Sequence, residues 1–198
     1  MNDVEFPRRQ AEAILKKTMR EVGYRRTYTE IGLWSAFWLE ERFQRGVTKL
    51  IVYLCLVNGR SIAELCPRIH PEFGIAGVCP FMMAEAVIHL SDKWGPRGGV
   101  TFGAPAEPFL MMASVADWAS AKGQSVRFHH RNYSCLMSNE GVDIETDDLS
   151  AVGWIDPDNE SPMTIELTDD RPSPGARRID TIRLPKARLR GRNALFLG

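Results

Sequence analysis

Residues 99–129 read GVTFGAPAEPFLMMASVADWASAKGQSVRFH. Val100, Thr101 and Phe102 form a short run of strand formers. The stretch from Pro105 to Ala121 then turns helical, with Leu110, Met111, Ser114, Val115, Trp118 and Ala119 recurring on one side. Gly123 suits the position just past a helix end, and Ser125 to His129 returns to strand. Strand, helix, strand in this order predicts one β-α-β-like unit.

Upstream of this unit the chain is helical in pattern. Pro7 to Val22 carries Ala11, Ile14, Leu15, Met19 and Val22 at helical spacing, and Gly23 closes it. Thr29 is the expected cap of a second helix that runs to about Arg45 with an aromatic load (Trp34, Phe37, Trp38, Phe43), closed by Gly46. Thr48 is the expected cap of a third, through Val57. Ser61 and Glu64 have capping-box spacing for a short fourth helix stopped by Pro67. Residues 67–78 read as a loop, and Cys79-Pro80 opens a helix to about Asp92.

Downstream of Tyr133 the period becomes two. Strands are expected at Ser134–Ser138, Val142–Thr146, Ala151–Ile155, Met163–Leu167 and Ile179–Leu184, separated by turn-forming clusters such as Asn139-Glu140-Gly141. The expected fold is α+β: an N-terminal helical bundle packed on a mixed, mostly antiparallel sheet. The expected division is a helical subdomain over 1–66 and an α/β subdomain over 67–198, strand-rich in its C-terminal half.

A chain of 198 residues, 44% hydrophobic and 25% charged, is long enough to bury about 70% of the surface its unfolded form exposes. Its core needs neither disulfide nor metal. Cys55, Cys66, Cys79 and Cys135 form no C-x-x-C pair and read as buried thiols. Formal net charge is zero, which gives no global attraction to nucleic acid or to an anionic membrane. The N-terminus lacks an apolar signal core. The longest apolar run, Leu50 to Val57, falls well short of the roughly 20 residues of a membrane-crossing helix. These features lead to the expectation of a cytoplasmic protein.

No catalytic signature is present: no G-x-S-x-G, no H-E-x-x-H, no Walker A pattern. Cys66, His70, Cys79 and His89 have a spacing unlike any common zinc module, so no metal and no cofactor are expected. His129 and His130, at a strand end, are the candidates for a general base, although neighbours on a strand point to opposite faces. Gly98, Gly99 and Gly103 line a glycine-rich stretch able to present backbone N–H groups to a ligand. Glu107 is the candidate substrate-binding acid beside it, and its charge would oppose a phosphate there.

Charge is unevenly distributed. Eleven acidic residues and no Lys or Arg lie between Asn139 and Asp170, whereas seven basic residues and one acid lie between Arg177 and Arg192. The basic segment is expected either to lie across the acidic one, in its own chain or in a second subunit, which the zero net charge favours, or to form a mobile arm for an acidic partner. The final residues, Ala194 to Leu197, are apolar and suit docking on a partner subunit or back on the core.

EAILKKTMREVGY (12–24) and LEERFQRGV (39–47), flanking an aromatic helix, resemble the opening of a bacterial family, domain of unknown function 3726. The resemblance covers residues 7–46 and implies a chain of similar length, helices first, with no assigned activity. Residues 77–128 are faintly similar to the non-Rossmann malate/L-lactate dehydrogenases in their order of helix, strand, loop, helix and strand. The histidines that family places in two loops are missing here, where the sequence reads RGVTKL (45–50) and GAPAEPF (103–109). This similarity therefore implies a reduced relative without hydride-transfer chemistry.

The sequence thus leads to a non-catalytic metabolite-binding or accessory protein of bacterial small-molecule metabolism. Its ligand would sit in a groove between the helical half and the sheet. A homodimer or a partner metabolic enzyme would engage the C-terminal segment. The alternatives are an enzyme using His129 or His130 as base, and nucleic-acid binding through the basic tail, which the neighbouring acidic segment opposes.

Overall fold

Apolar residues at helical spacing make the first half of the chain a set of packed helices, and period-two alternation makes most of the second half a sheet. The computed structural model describes residues 3–43, 45–72, 74–90, 99–130, 133–146, 162–175 and 181–185. Its elements are β1 (Asp3–Pro7), α1 (Arg8–Val22), α2 (Arg26–Phe43), α3 (Gly46–Leu56), α4 (Ile62–Leu65), β2 (Arg68–His70), β3 (Gly74–Ala76), α5 (Pro80–His89), β4 (Gly99–Gly103), α6 (Pro108–Ser120), β5 (Ser125–His130), β6 (Tyr133–Met137), β7 (Val142–Thr146), β8 (Pro162–Thr168) and β9 (Thr181–Pro185). The architecture is α+β, with the helices mostly N-terminal. The strand expected at Ala151–Ile155 and the basic tail beyond Pro185 lie outside the described residues.

Seven strands form one sheet in the order β2-β3-β4-β8-β5-β6-β7, and β1 pairs with β9 in a separate two-stranded ribbon. Only β3 and β4 pair parallel; every other ladder is antiparallel. Both β4 and β5 run antiparallel to β8, so they are parallel to each other. The expected β-α-β unit is therefore present but split, with β8 inserted between its two strands.

The inward row of the sheet includes Phe102, Val126, Phe128, Cys135, Met137, Met163 and Ile165, all fully buried. Helix α6 packs on β5 and β6 from this side and also meets α2, α3 and α5. Of its thirteen residues only Asp117 is exposed. Phe109 sits at the junction, its ring stacked on Phe43 at 5.5 Å and edge-on to Phe128 at 5.4 Å. Burial of a phenylalanine of this kind stabilises by about 2–3 kcal/mol. Between α2 and α6 Ser35 Oγ meets Ser114 Oγ at 3.2 Å.

Several boundaries differ from the sequence expectation, each for a local reason. Thr29 lies one turn inside α2 rather than capping it, and its hydroxyl donates back to the carbonyl of Arg25 at 3.0 Å. Thr48 likewise lies inside α3, which starts at Gly46. Residues 67–78 hold the antiparallel pair β2–β3, whose three-residue strands are too short to display alternation. Strand β1, also unexpected, is recognisable only by its partner β9, some 175 residues away in sequence.

Gly46 is not a left-handed helix end. It lets the start of α3 lie against α2, where an added Cβ would sit 2.0 Å from the Ala36 carbonyl oxygen and 2.6 Å from the Glu40 nitrogen. Those are backbone atoms and cannot swing aside. Gly46→Ala is expected to lower unfolding free energy by about 2–3 kcal/mol, read as a lower urea midpoint with unchanged slope. Gly59→Ala, at φ 81° in open space, should cost only about 1 kcal/mol. Equal losses at both positions would contradict this account.

Candidate functional site

The residues singled out in the sequence fall into three separate places. On β5, Val126, Phe128 and His130 point inward, while Arg127 and His129 point outward. His130 is 3% exposed. His129 is half exposed, and its Nε2 lies 3.6 Å from Glu166 Oε1 on β8. Thr164 and Ser134 flank it across the ladder. On β4, Gly99 and Gly103 stand on either side of Thr101, Gly99 exposed and Gly103 buried, and Thr101 bonds Thr164 at 3.0 Å. Gly98 lies outside the described residues.

The outward face is organised by one cation. Arg127 approaches Asp170 at 3.0 Å, Glu145 at 3.4 Å and Glu166 at 3.9 Å. Ser134 Oγ also donates to Glu145 at 2.8 Å. That hydroxyl, with Arg127 behind it, holds the Glu145 carboxyl below its ordinary range. Part of the acidic segment is thus neutralised by an arginine from β5. The carboxylates of this face serve the face itself.

Glu107 sits at the N-cap of α6, 3% exposed, with Lys49 Nζ of α3 at 3.4 Å. The same ammonium stands 4.7 Å over the Phe109 ring. Glu107 therefore faces the core, away from His129. Burial pushes its carboxyl up to about 7, against the pull of Lys49, and burial pushes the Lys49 ammonium down. Both groups shift toward their neutral forms, because withdrawing charge from water costs more than the pairing returns.

Three clefts lie on the helical side. One cleft of about 740 Å³ opens between the start of α2, α4 and α5, lined by Tyr24, Tyr28, Ile62, Cys66, Met82, Glu85, Ala86 and His89 among others. Tyr24, at its floor, meets the buried Tyr53 hydroxyl and lies 3.5 Å from Cys79 Sγ. Burial raises the pKa of all three groups. At the mouth Tyr28 donates to Glu85 at 2.9 Å, and that bond pushes the Tyr28 phenol up to about 12. His89 stands 4.0 Å from Glu85, one turn along α5. Cys66 carries an exposed thiol at the same opening.

A second cleft of about 520 Å³ continues between α2, α5 and α6 and shares Glu85 and His89 with the first. Trp34, 41% exposed, forms its wall. A third, about 720 Å³, lies beyond Trp34 toward α1. Its arginines are engaged internally: Arg42 stacks on Trp38 at 4.2 Å and donates to the Asn139 carbonyl, and Arg8 pairs with Glu41. The clefts together make one groove along α2.

Sequence reasoning passed over this groove. Its signals were a single carboxylate, Glu85, inside the otherwise uncharged run PFMMAEAVI (80–88), and a tryptophan, Trp34, one turn before the buried Trp38. Among the described residues no group of His, Cys, Asp and Glu side chains converges to hold a metal ion, and no helix is long and apolar enough to cross a membrane. No protein-family model, no curated protein and no solved structure matches the chain.

The buried pair gives a pH signature. Between pH 4.5 and 7 folded Glu107 retains a proton that the unfolded chain has released, so stability falls as pH rises through that window. The depressed Lys49 acts with opposite sign on the alkaline side. Urea unfolding from pH 5 to 7.5 should show a decline of about 2 kcal/mol from this source. Glu107→Gln should flatten it, and an unchanged slope in that variant would refute the assignment.

Proposed function

We propose that the chain is a small-molecule-binding protein, serving an accessory role in metabolism, and that its ligand occupies the cleft between α2, α4 and α5. One observation carries the reading. This cleft combines a ligand-sized volume of about 740 Å³, an apolar lining that includes Ile62, Met82 and Ala86, and a few directed polar groups at Tyr28, Glu85 and His89. Ligand sites are built in this way, with apolar area supplying affinity and sparse polar groups fixing orientation. The cleft lies among helices rather than between helices and sheet.

A second reading makes the chain an enzyme with His129 as base. It is favoured by the exposed imidazole 3.6 Å from Glu166 and flanked by Ser134. The Arg127 network already engages Glu145, Glu166 and Asp170, which leaves this face less free to take up a substrate. A homodimer, or a complex with a metabolic enzyme, engaging the C-terminal segment remains the companion proposal on partners; it rests on the apolar residues at Ala194–Leu197.

Native mass spectrometry of the untagged protein, purified from its own host, should reveal a species heavier than the bare chain by a small-molecule mass. Ala86→Trp, at a half-buried position lining the cleft, should abolish that species while leaving cooperative unfolding intact. Retention of the same mass by the folded variant would remove the ligand from this cleft. An activity found by substrate screening and lost in His129→Ala would favour the second reading.

A further inference from the structure

We infer that the second cleft, between α2, α5 and α6, selects an organic cation: an ammonium group carried on an apolar body. The inference rests on the small-molecule reading above and extends it to the neighbouring cleft, which shares Glu85 and His89 with the first. Three carboxylates from three helices edge this cleft, Glu30 of α2, Glu85 of α5 and Asp117 of α6, and no lysine or arginine lines it. The floor is apolar, made by Ile31, Phe81, Ala84 and Ile88. Asp117 is the only exposed residue of an otherwise sheltered helix. Trp34 presents its indole at the side, 41% exposed, where most aromatic rings of this fold are buried.

These features point to one chemistry. An alkyl or aryl body gains from the floor as apolar area leaves water. A cationic head gains twice, from the carboxylates and from the face of an indole, the strongest aromatic partner for a cation. A carboxylate head meets the same acids with the opposite sign. The counter-charges present are modest. Arg26 holds Glu30 at 2.8 Å in a wholly exposed pair, Tyr28 donates to Glu85 without cancelling its charge, and His89 stands 4.0 Å from Glu85. Arg42, stacked on Trp38, acts on Asp117 from the adjoining third cleft, and Lys16 and Arg20 act on Glu30 from α1.

Three probes of one chain length separate the terms: octyltrimethylammonium, octanol and octanoate, titrated into the full chain below their micelle concentrations. Calorimetry reports binding in every variant, and the summed tryptophan fluorescence supports it where Trp34 is retained. The ammonium should bind about tenfold tighter than octanoate, the size expected of two partly exposed charge contacts. The double variant Glu85→Gln, Asp117→Asn should bring that ratio near one without weakening octanol. Trp34→Leu should weaken the ammonium several-fold more than octanol. All three substitutions are at exposed positions, and circular dichroism checks that the fold is retained. Equal binding of the three probes, or ammonium binding unmoved by these variants, overturns the cation assignment and leaves the groove as an apolar site. Failure of all three probes to bind overturns the second cleft as a ligand site, and the Ala86→Trp experiment tests the first cleft separately.

Discussion

Helix α6 has almost no side left for water, and the rest of the molecule is arranged around that fact. Its residues from Phe109 to Ala119 fill the space between the inward face of the sheet and helices α2, α3 and α5. Its N-terminal cap position is held by Glu107, whose buried carboxylate makes no cap hydrogen bond and pairs with Lys49 instead, while its C-terminal end opens to solvent at Ala121. The polar contact along its flank is a serine pair. Shape does the remainder: Phe43, Phe109 and Phe128 stack across three elements, and the missing side chain at Gly46 brings α3 close against α2.

Charge is handled differently on the two sides of the sheet. Inside, one acid and one base share a dry site, and both titrate away from their ordinary values. Outside, Arg127 gathers three acids in a wet environment where each contact is worth little alone. The helical groove follows neither pattern. In its second cleft the acids come from three helices and no lysine or arginine lines the cavity. Their partners stand at the margins instead, Arg26 beside Glu30 and His89 beside Glu85.

Much of this architecture was legible in the residues because it is local. The capping box at Ser61 and Glu64, the closing glycines at 23 and 123 and the period-two strands after Tyr133 each depend on a few neighbouring positions. The opposite orientations of His129 and His130 followed from strand geometry alone. What was not legible depends on partners distant in sequence. Strand β1 exists through β9, the place of the expected strand β8 between β4 and β5 through its ladders to both, and the groove through the approach of α2, α4, α5 and α6. Glu107 looked like a loop acid available to substrate because the lysine that meets it is 58 positions away.

The insertion of β8 also bears on how the chain is made. When a ribosome has delivered residues up to His130, α6 and its two flanking strands are present, but the strand that joins them is not. The roughly 30 residues before β8 take seconds to synthesise. During that interval β4 and β5 lack the ladder that each makes with β8 in the folded sheet. An unpaired strand edge is a template for any extended segment nearby, including β8 of a neighbouring nascent chain. The sheet is thus most open to mispairing before its central strand arrives, and yield at high expression should track how quickly that strand follows.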